Sequence, residues 1–390
     1  MQKRVLAGVV LLAVLLALIF AFYPGNSQVI NLATGAGLSK MLRYENAQVY
    51  FFGETHRCTE YQQFRNALFQ YLVKEKGVRV LVEESGYATA FLENETVQGR
   101  LPFSDWLDRC TLSKEDYELY SWIADWNSGR DAAEKISIIG IDITDDVGNI
   151  QTLCQYLLKN HDFSSADTQT QWLLTAIREQ NPFSSLQLQT FQEKFLPQLA
   201  ELYQTKPKQL ETVLGTQTVY LERALLGWEE AQEQQRLKGE TEQLGGPDGS
   251  YRENCLYEHF MWEYQQRPDA KYYGQFGGAH VLMSDYSGKL YRVQNSFVSR
   301  LAETDTPLNG KLTVIDGCLT FEIGDLGKSD VNKATLYRTT RAGPPIHKMN
   351  KFYMNSSAPD VSYAQYVLLF EHPDALTAAK EYTGSYWKYH

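Results

Sequence analysis

Ala47-Gln-Val-Tyr-Phe-Phe-Gly-Glu-Thr-His56 and, one helix further on, Val78-Arg-Val-Leu-Val-Glu-Glu84 decide the fold. Each opens with an apolar run of strand length and closes on acidic residues. Between them, Glu60 to Lys76 sets Phe64, Leu68, Tyr71 and Leu72 at helical spacing, and Gly77 ends the helix. A buried strand, a helix and a second buried strand with short links make the unit that builds parallel sheets.

Working outward, a helical tract is expected over Phe103–Arg130, followed by a third strand, Ile136-Ser-Ile-Ile-Gly-Ile141, that ends at Asp142. Lys271-Tyr-Tyr-Gly-Gln-Phe276 is a further strand, closing on Gly277-Gly-Ala-His280. Lys311–Ile315 and Tyr366–Phe370 continue the strand pattern, and Leu290–Val298 is expected to add another. A helix runs from Arg252 to about Gln265, after a glycine-containing stretch over Lys238–Ser250. The expected architecture is α/β: a central, mostly parallel sheet flanked by helices, with a large helical insertion at about 151–240. A single domain is expected over 45–390, preceded by a linker over 25–44.

The first residues carry a different signal. Lys3 and Arg4 precede an uncharged apolar run, Val5–Phe22. As a helix this run rises about 27 Å, close to the thickness of a bilayer core. Residues 1–24 are therefore expected to be a signal anchor, or a signal peptide cut near Ala21 or within Gly25–Ser27. The flanking charges place the main domain outside the cytoplasm, held by a single-pass helix or secreted if cleaved.

Composition narrows the function classes. The net charge of −10 argues against a general nucleic-acid surface, which needs a concentrated positive field. The five cysteines, Cys58, Cys110, Cys154, Cys255 and Cys318, are an odd number, so a complete set of internal disulfides is impossible. No HExxH, paired CxxC, GxSxG, GxGxxG or GxxxxGK[ST] pattern occurs.

What remains is a set of ionisable residues at strand ends: Glu54 with His56, Glu83 with Glu84, Asp142, and His280. Ligand groups of parallel α/β sheets gather at the carboxyl ends of strands. In an extended segment residues i and i+2 share a face. Glu54 is thus placed to hold one nitrogen of His56 and leave the other to take a proton from water. Only one of Glu83 and Glu84 can face the same cavity. Asp142, Asp145 and Asp146 lack the spacing of a calcium loop. Arg65 lies nine residues after His56 on the first helix, where it can turn toward Glu54 or Glu84.

Together these residues resemble the erythromycin esterase-like superfamily, with the haem-binding ChaN and the Tiki proteins as wider relatives. The resemblance rests on GETH (53–56), on EYQQFRNALFQYLVKEKGVRVLVEES with Arg65 and Glu84, and on Ile139-Gly-Ile-Asp142. It also rests on YRENCLYEHFMW with Arg252 and Glu258, and on GQFGGAHV with His280. One residue separates Glu54 from His56 where the esterase branch has two. The resemblance implies a hydrolase of an ester or related bond, with His56 as base and Glu54, Glu84, His280 and Arg65 completing the catalytic site. Asp142, Arg252 and Glu258 are the candidates for binding a small-molecule substrate. No cofactor is required on the esterase reading. The ChaN-like and Tiki branches imply haem or a divalent metal instead.

Overall fold

The computed structural model describes residues 27–143, 146–182, 184–238, 247–284, 286–287, 292–293, 295–317, 332–338, 364–370 and 381–382. Its main sheet contains β1 (Ser27–Asn31), β2 (Val49–Glu54), β3 (Val80–Gly86), β4 (Ser137–Asp142), β5 (Tyr272–Gly277), β6 (Leu312–Asp316), β7 (Lys333–Arg338) and β8 (Tyr366–Phe370). The strands lie in the order β1-β7-β8-β6-β2-β5-β3-β4. From β8 to β4 every neighbouring pair is parallel. At the other edge β1 and β7 run antiparallel to their neighbours. The mostly parallel α/β sheet expected from the sequence is present.

β2 is buried along its whole length, as befits a parallel strand covered on both faces. One face packs Tyr50, Phe52 and Tyr273 against Phe64, Leu68 and Phe69. The other packs Phe51, Val82 and Phe276 against Leu256, Phe260 and Phe297. The first face is covered by α1 (Leu38–Leu42), α2 (Thr59–Tyr71), α3 (Tyr87–Val97) and α4 (Lys114–Asn127), the second by helices later in the chain. α2 continues as one wider turn to Lys76 and stops at Gly77, whose φ of 75° suits a residue without a Cβ.

The helical insertion follows β4. It comprises α5 (Val147–Leu158), α6 (Thr168–Arg178), α7 (Ser185–Thr190), α8 (Leu196–Thr205), α9 (Pro207–Leu214) and α10 (Thr218–Lys238). Leu153, Leu174, Phe191, Leu196 and Leu210 give it a core of its own, shared with Ala88 of α3. Then come α11 (Pro247–Gln266), the four-residue α12 (Gly278–Val281) and α13 (Phe297–Leu301).

Several expectations are corrected. The tract Phe103–Arg130 is not one helix: two short turns precede α4, which starts at Lys114. Ser113 fixes that start through a capping box with Asp116. The described residues of Leu290–Val298 do not join the main sheet. Among them only Arg292–Val293 is extended, and Ser296 then caps α13 by accepting from the Ser299 amide at 3.0 Å. The stretch read as a linker supplies β1 and α1.

The membrane expectation is also corrected. Among the described residues no helix is long and apolar enough to cross a membrane. The run 5–22 that prompted it lies outside the described residues. The anchor, the membrane as a partner, and the single-pass extracytoplasmic placement are withdrawn. Asp145 and Cys318 also lie outside the described residues, while Cys58, Cys110, Cys154 and Cys255 are free thiols.

Candidate active site

The carboxyl ends of β2, β5, β3 and β4 meet along one rim of the sheet. Register fixes the meeting: Glu54 lies beside Gly277, and Gln275 lies beside Glu83. Because β5 separates β2 from β3, the rim draws on chain segments more than 200 residues apart.

His56 stands just beyond β2. Its Nδ1 is 3.1 Å from Glu54 Oε1, and its Nε2 is 3.5 Å from Glu84 Oε2. Its side chain is 57 % exposed, whereas those of Glu54 and Glu84 are 8 % and 12 % exposed. The Glu54 hydrogen bond raises the imidazole's pKa above its ordinary value. Burial works against that rise, and the charge of Glu84 reinforces it. The second oxygen of Glu54 accepts from the Gln275 amide.

Two glycines make this geometry possible. A Cβ on Gly277 would stand 2.9 Å from His56 Nε2. A Cβ on Gly53 would meet Val281 at 2.6 Å, so glycine there lets α12 settle on β2 and bring in His280.

Glu84 is enclosed by donors. Its Oε2 accepts from the Gly277 amide at 2.6 Å. Its Oε1 lies 2.9 Å from Arg252 Nη2 and 3.3 Å from His280 Nε2. Burial alone would raise the carboxyl's pKa. The hydrogen bond and charge of His280, with His56 and Arg252, instead bring it down to about 2.

His280 is held at both nitrogens, by Glu253 at Nδ1 and Glu84 at Nε2. Its desolvation is overcome by these carboxylates, and its pKa stands at about 9. It is therefore an imidazolium at neutral pH. Its 3.3 Å approach to Arg252 Nη1 is then a close contact of two donors.

Arg252, in the second turn of α11, forks onto Asp142 at the end of β4. Nε reaches Oδ1 at 2.9 Å and Nη2 reaches Oδ2 at 2.5 Å. The side chain of Asp142 is 1 % exposed.

Of the residues singled out from the sequence, Glu54, His56, Glu84, Asp142, Arg252 and His280 form one contiguous network. Two do not join it. Arg65 is buried on the far side of Glu54, bonded to Asp116 at 2.7 Å and to Asn66 at 2.9 Å. Glu258 is exposed on α11. Six residues past Arg252, it points roughly 120° away around the helix axis. The acid that α11 does contribute is Glu253, which also accepts from the Phe297 amide at 2.6 Å. Glu253 and Gln275 were quoted in the motifs but not recognised as site residues. The neighbouring Arg252 and the GQFGG strand end were the signals available.

Among the described residues no group of three or more His, Cys, Asp or Glu side chains is placed to hold a metal ion. The guanidinium of Arg252 already stands among Asp142, Glu84 and His280, and a second cation there would face it.

Neither a protein-family model nor a curated protein matches the sequence. Solved structures do. A protein from Bacillus cereus superposes with a TM-score of 0.55 at 15% identity, covering 91% of this chain and 97% of its own. A variant of the erythromycin esterase EreC in its open conformation superposes with a TM-score of 0.57 at 14% identity, covering 91% and 99%. A succinoglycan biosynthesis protein gives 0.50 at 18% identity over 77% and 74%. The haem-binding ChaN of Campylobacter jejuni, at a TM-score of 0.29, is too distant to carry an argument. The resemblance expected from the sequence thus holds, distantly, at the level of fold. The chain has an architecture also found in an esterase, with His, Glu and Arg ion pairs at the strand ends.

Proposed function

We propose that this chain hydrolyses an ester or a related bond of a small-molecule substrate, with His56 as the general base that activates water. The observation that carries the reading is the contrast between the two histidines. His280 has both nitrogens engaged by carboxylates and is 14 % exposed. His56 has only Nδ1 engaged in a hydrogen bond, and its ring is open to solvent.

The proton movements follow from that contrast. Glu54 accepts Nδ1–H of His56 and so fixes the tautomer that leaves Nε2 unprotonated, with no hydrogen bond to the Glu84 carboxylate 3.5 Å away. Nε2 removes a proton from water as that water attacks the carbonyl carbon. Glu54 steadies the imidazolium that results. Glu84 is already saturated and ionised, so it serves as a fixed negative charge between the two imidazoles. Arg252 Nη1–H and the His280 imidazolium supply positive charge where the carbonyl oxygen becomes negative. His56 then returns its proton to the leaving oxygen. General-base assistance of this kind is worth about 10²–10⁴-fold.

The test is turnover of a panel of chromogenic esters and lactones by the wild-type chain and by His56→Ala, with circular dichroism to check folding. The expected result is hydrolysis lost in the variant and unchanged by a chelator in the wild type. Full turnover by folded His56→Ala would overturn the role of His56. Loss of wild-type turnover to a chelator, restored by added divalent metal, would favour a metal-dependent hydrolase instead.

A further inference from the structure

Behind the site, on the α2 and α4 side of the sheet, lies a second polar group that shares Glu54 with the mechanism and whose other members the mechanism does not use. β2, β5 and β3 point Glu54, Tyr273, Gln275 and Glu83 to that side, against Arg65 of α2 and Tyr120 of α4. Three polar atoms there are buried and have no hydrogen-bond partner: Arg65 Nη2, the Tyr273 hydroxyl and Gln275 Oε1. Two are donors by chemistry, since a guanidinium always carries its hydrogens and burial holds the Tyr273 phenol well above its ordinary range. The third is an acceptor.

The three residues share one charged neighbour, Glu54. Gln275 donates to Glu54 through its other amide atom. Arg65 and Glu54 are the charged neighbours of Tyr273. Glu54 in turn is one of the two acids whose field acts most on Arg65, the other being Asp116. Buried donors and acceptors that cannot reach each other directly are bridged by internal water, which satisfies about three such groups at once. The Tyr273 ring is stacked on Phe69 at 5.4 Å, so its hydroxyl is fixed in place.

We propose that Tyr273 is a positioning residue of the His56 site, its hydroxyl and Arg65 together holding an internal water that couples the guanidinium charge to Glu54. The proposal rests on His56 being the base. The coupled positive charge offsets part of the field of Glu54 at Nδ1, keeping more of His56 unprotonated and able to accept a proton. Arg65 thus acts on the imidazole without touching it.

The experiment is Tyr273→Phe in the full chain, which removes one oxygen and keeps the packed ring. The titration of His56 is read by NMR on imidazole-labelled protein, with His56→Ala identifying the resonance. No substrate is needed, so the result stands apart from any failure of the esterase assay. Glu84 and His280 also face His56, and this variant changes neither. The expected result is a His56 midpoint raised by about half a pH unit, with the acid limb of kcat/KM following it. A midpoint that is unchanged or lower overturns the proposal. In that case the hydroxyl is an isolated buried group, and its removal leaves stability equal or higher.

Discussion

Arg252 clasps Asp142 through two nitrogens although 110 residues separate them in the chain. This fork ties α11 to the end of β4, and the same Nη2 continues to Glu84 on β3. Removing one partner from a buried ion pair leaves the other charge uncompensated. Asp142→Ala is expected to cost about 3–5 kcal/mol of stability, measured by urea unfolding. Arg252→Lys keeps the charge but not the two-nitrogen geometry. It should fold and lose much of the activity.

At Gly277 a side chain is expected to cost activity rather than folding. Gly277→Ala puts a methyl group within 2.9 Å of His56 Nε2, while the φ of −51° is open to alanine. The variant should fold with near-native stability. Its imidazole is pushed from the working position, so kcat/KM should fall on the order of 100-fold. Wild-type activity in this variant would mean that His56 works from another position.

Stability should depend on pH in two separate windows. The His280 imidazole is raised from 6.5 to about 9 in the folded chain. Its contribution is complete below the unfolded value and is lost as pH rises through about 9. Glu84 is lowered from 4.5 to about 2. Its contribution is complete above the unfolded value and is lost as pH falls toward 2. The thermal midpoint should therefore decline on the alkaline side from about pH 6.5 to 9. In His280→Gln that alkaline decline should be reduced.

The buried acids Glu83 and Glu93 are expected to share a proton. The Tyr120 hydroxyl bridges them, at 3.1 Å to Glu83 and 2.9 Å to Glu93. Burial raises both carboxyls, and each raised group loses its contribution as pH climbs through its folded value. Glu93→Gln replaces the carboxyl by a neutral amide of the same shape. It should fold with a change under about 1 kcal/mol at neutral pH, and should unfold less readily than the wild type as pH is raised. A strongly destabilised Glu93→Gln would show that both acids are needed as ions.

Much of the sheet was legible because its evidence is local. An apolar run such as 49–52 or 137–141 is a strand wherever it packs, and a parallel sheet leaves its acidic closing residues at one rim. Helix starts were less legible. The beginning of α4 depends on the reciprocal hydrogen bonds of Ser113 and Asp116, and Ser296 turns a presumed strand into α13.

The sequence by itself determined the strand–helix–strand unit, the helical insertion, and the identity of most groups at the rim. These follow from side-chain periods of 2 and 3.6, which neighbouring residues set. Tertiary structure alone decided that β5 enters between β2 and β3, that Glu253 rather than Glu258 meets His280, and that Arg65 turns away toward Asp116. Those outcomes depend on register and packing between segments far apart in the chain, where the burial of whole faces outweighs any local preference.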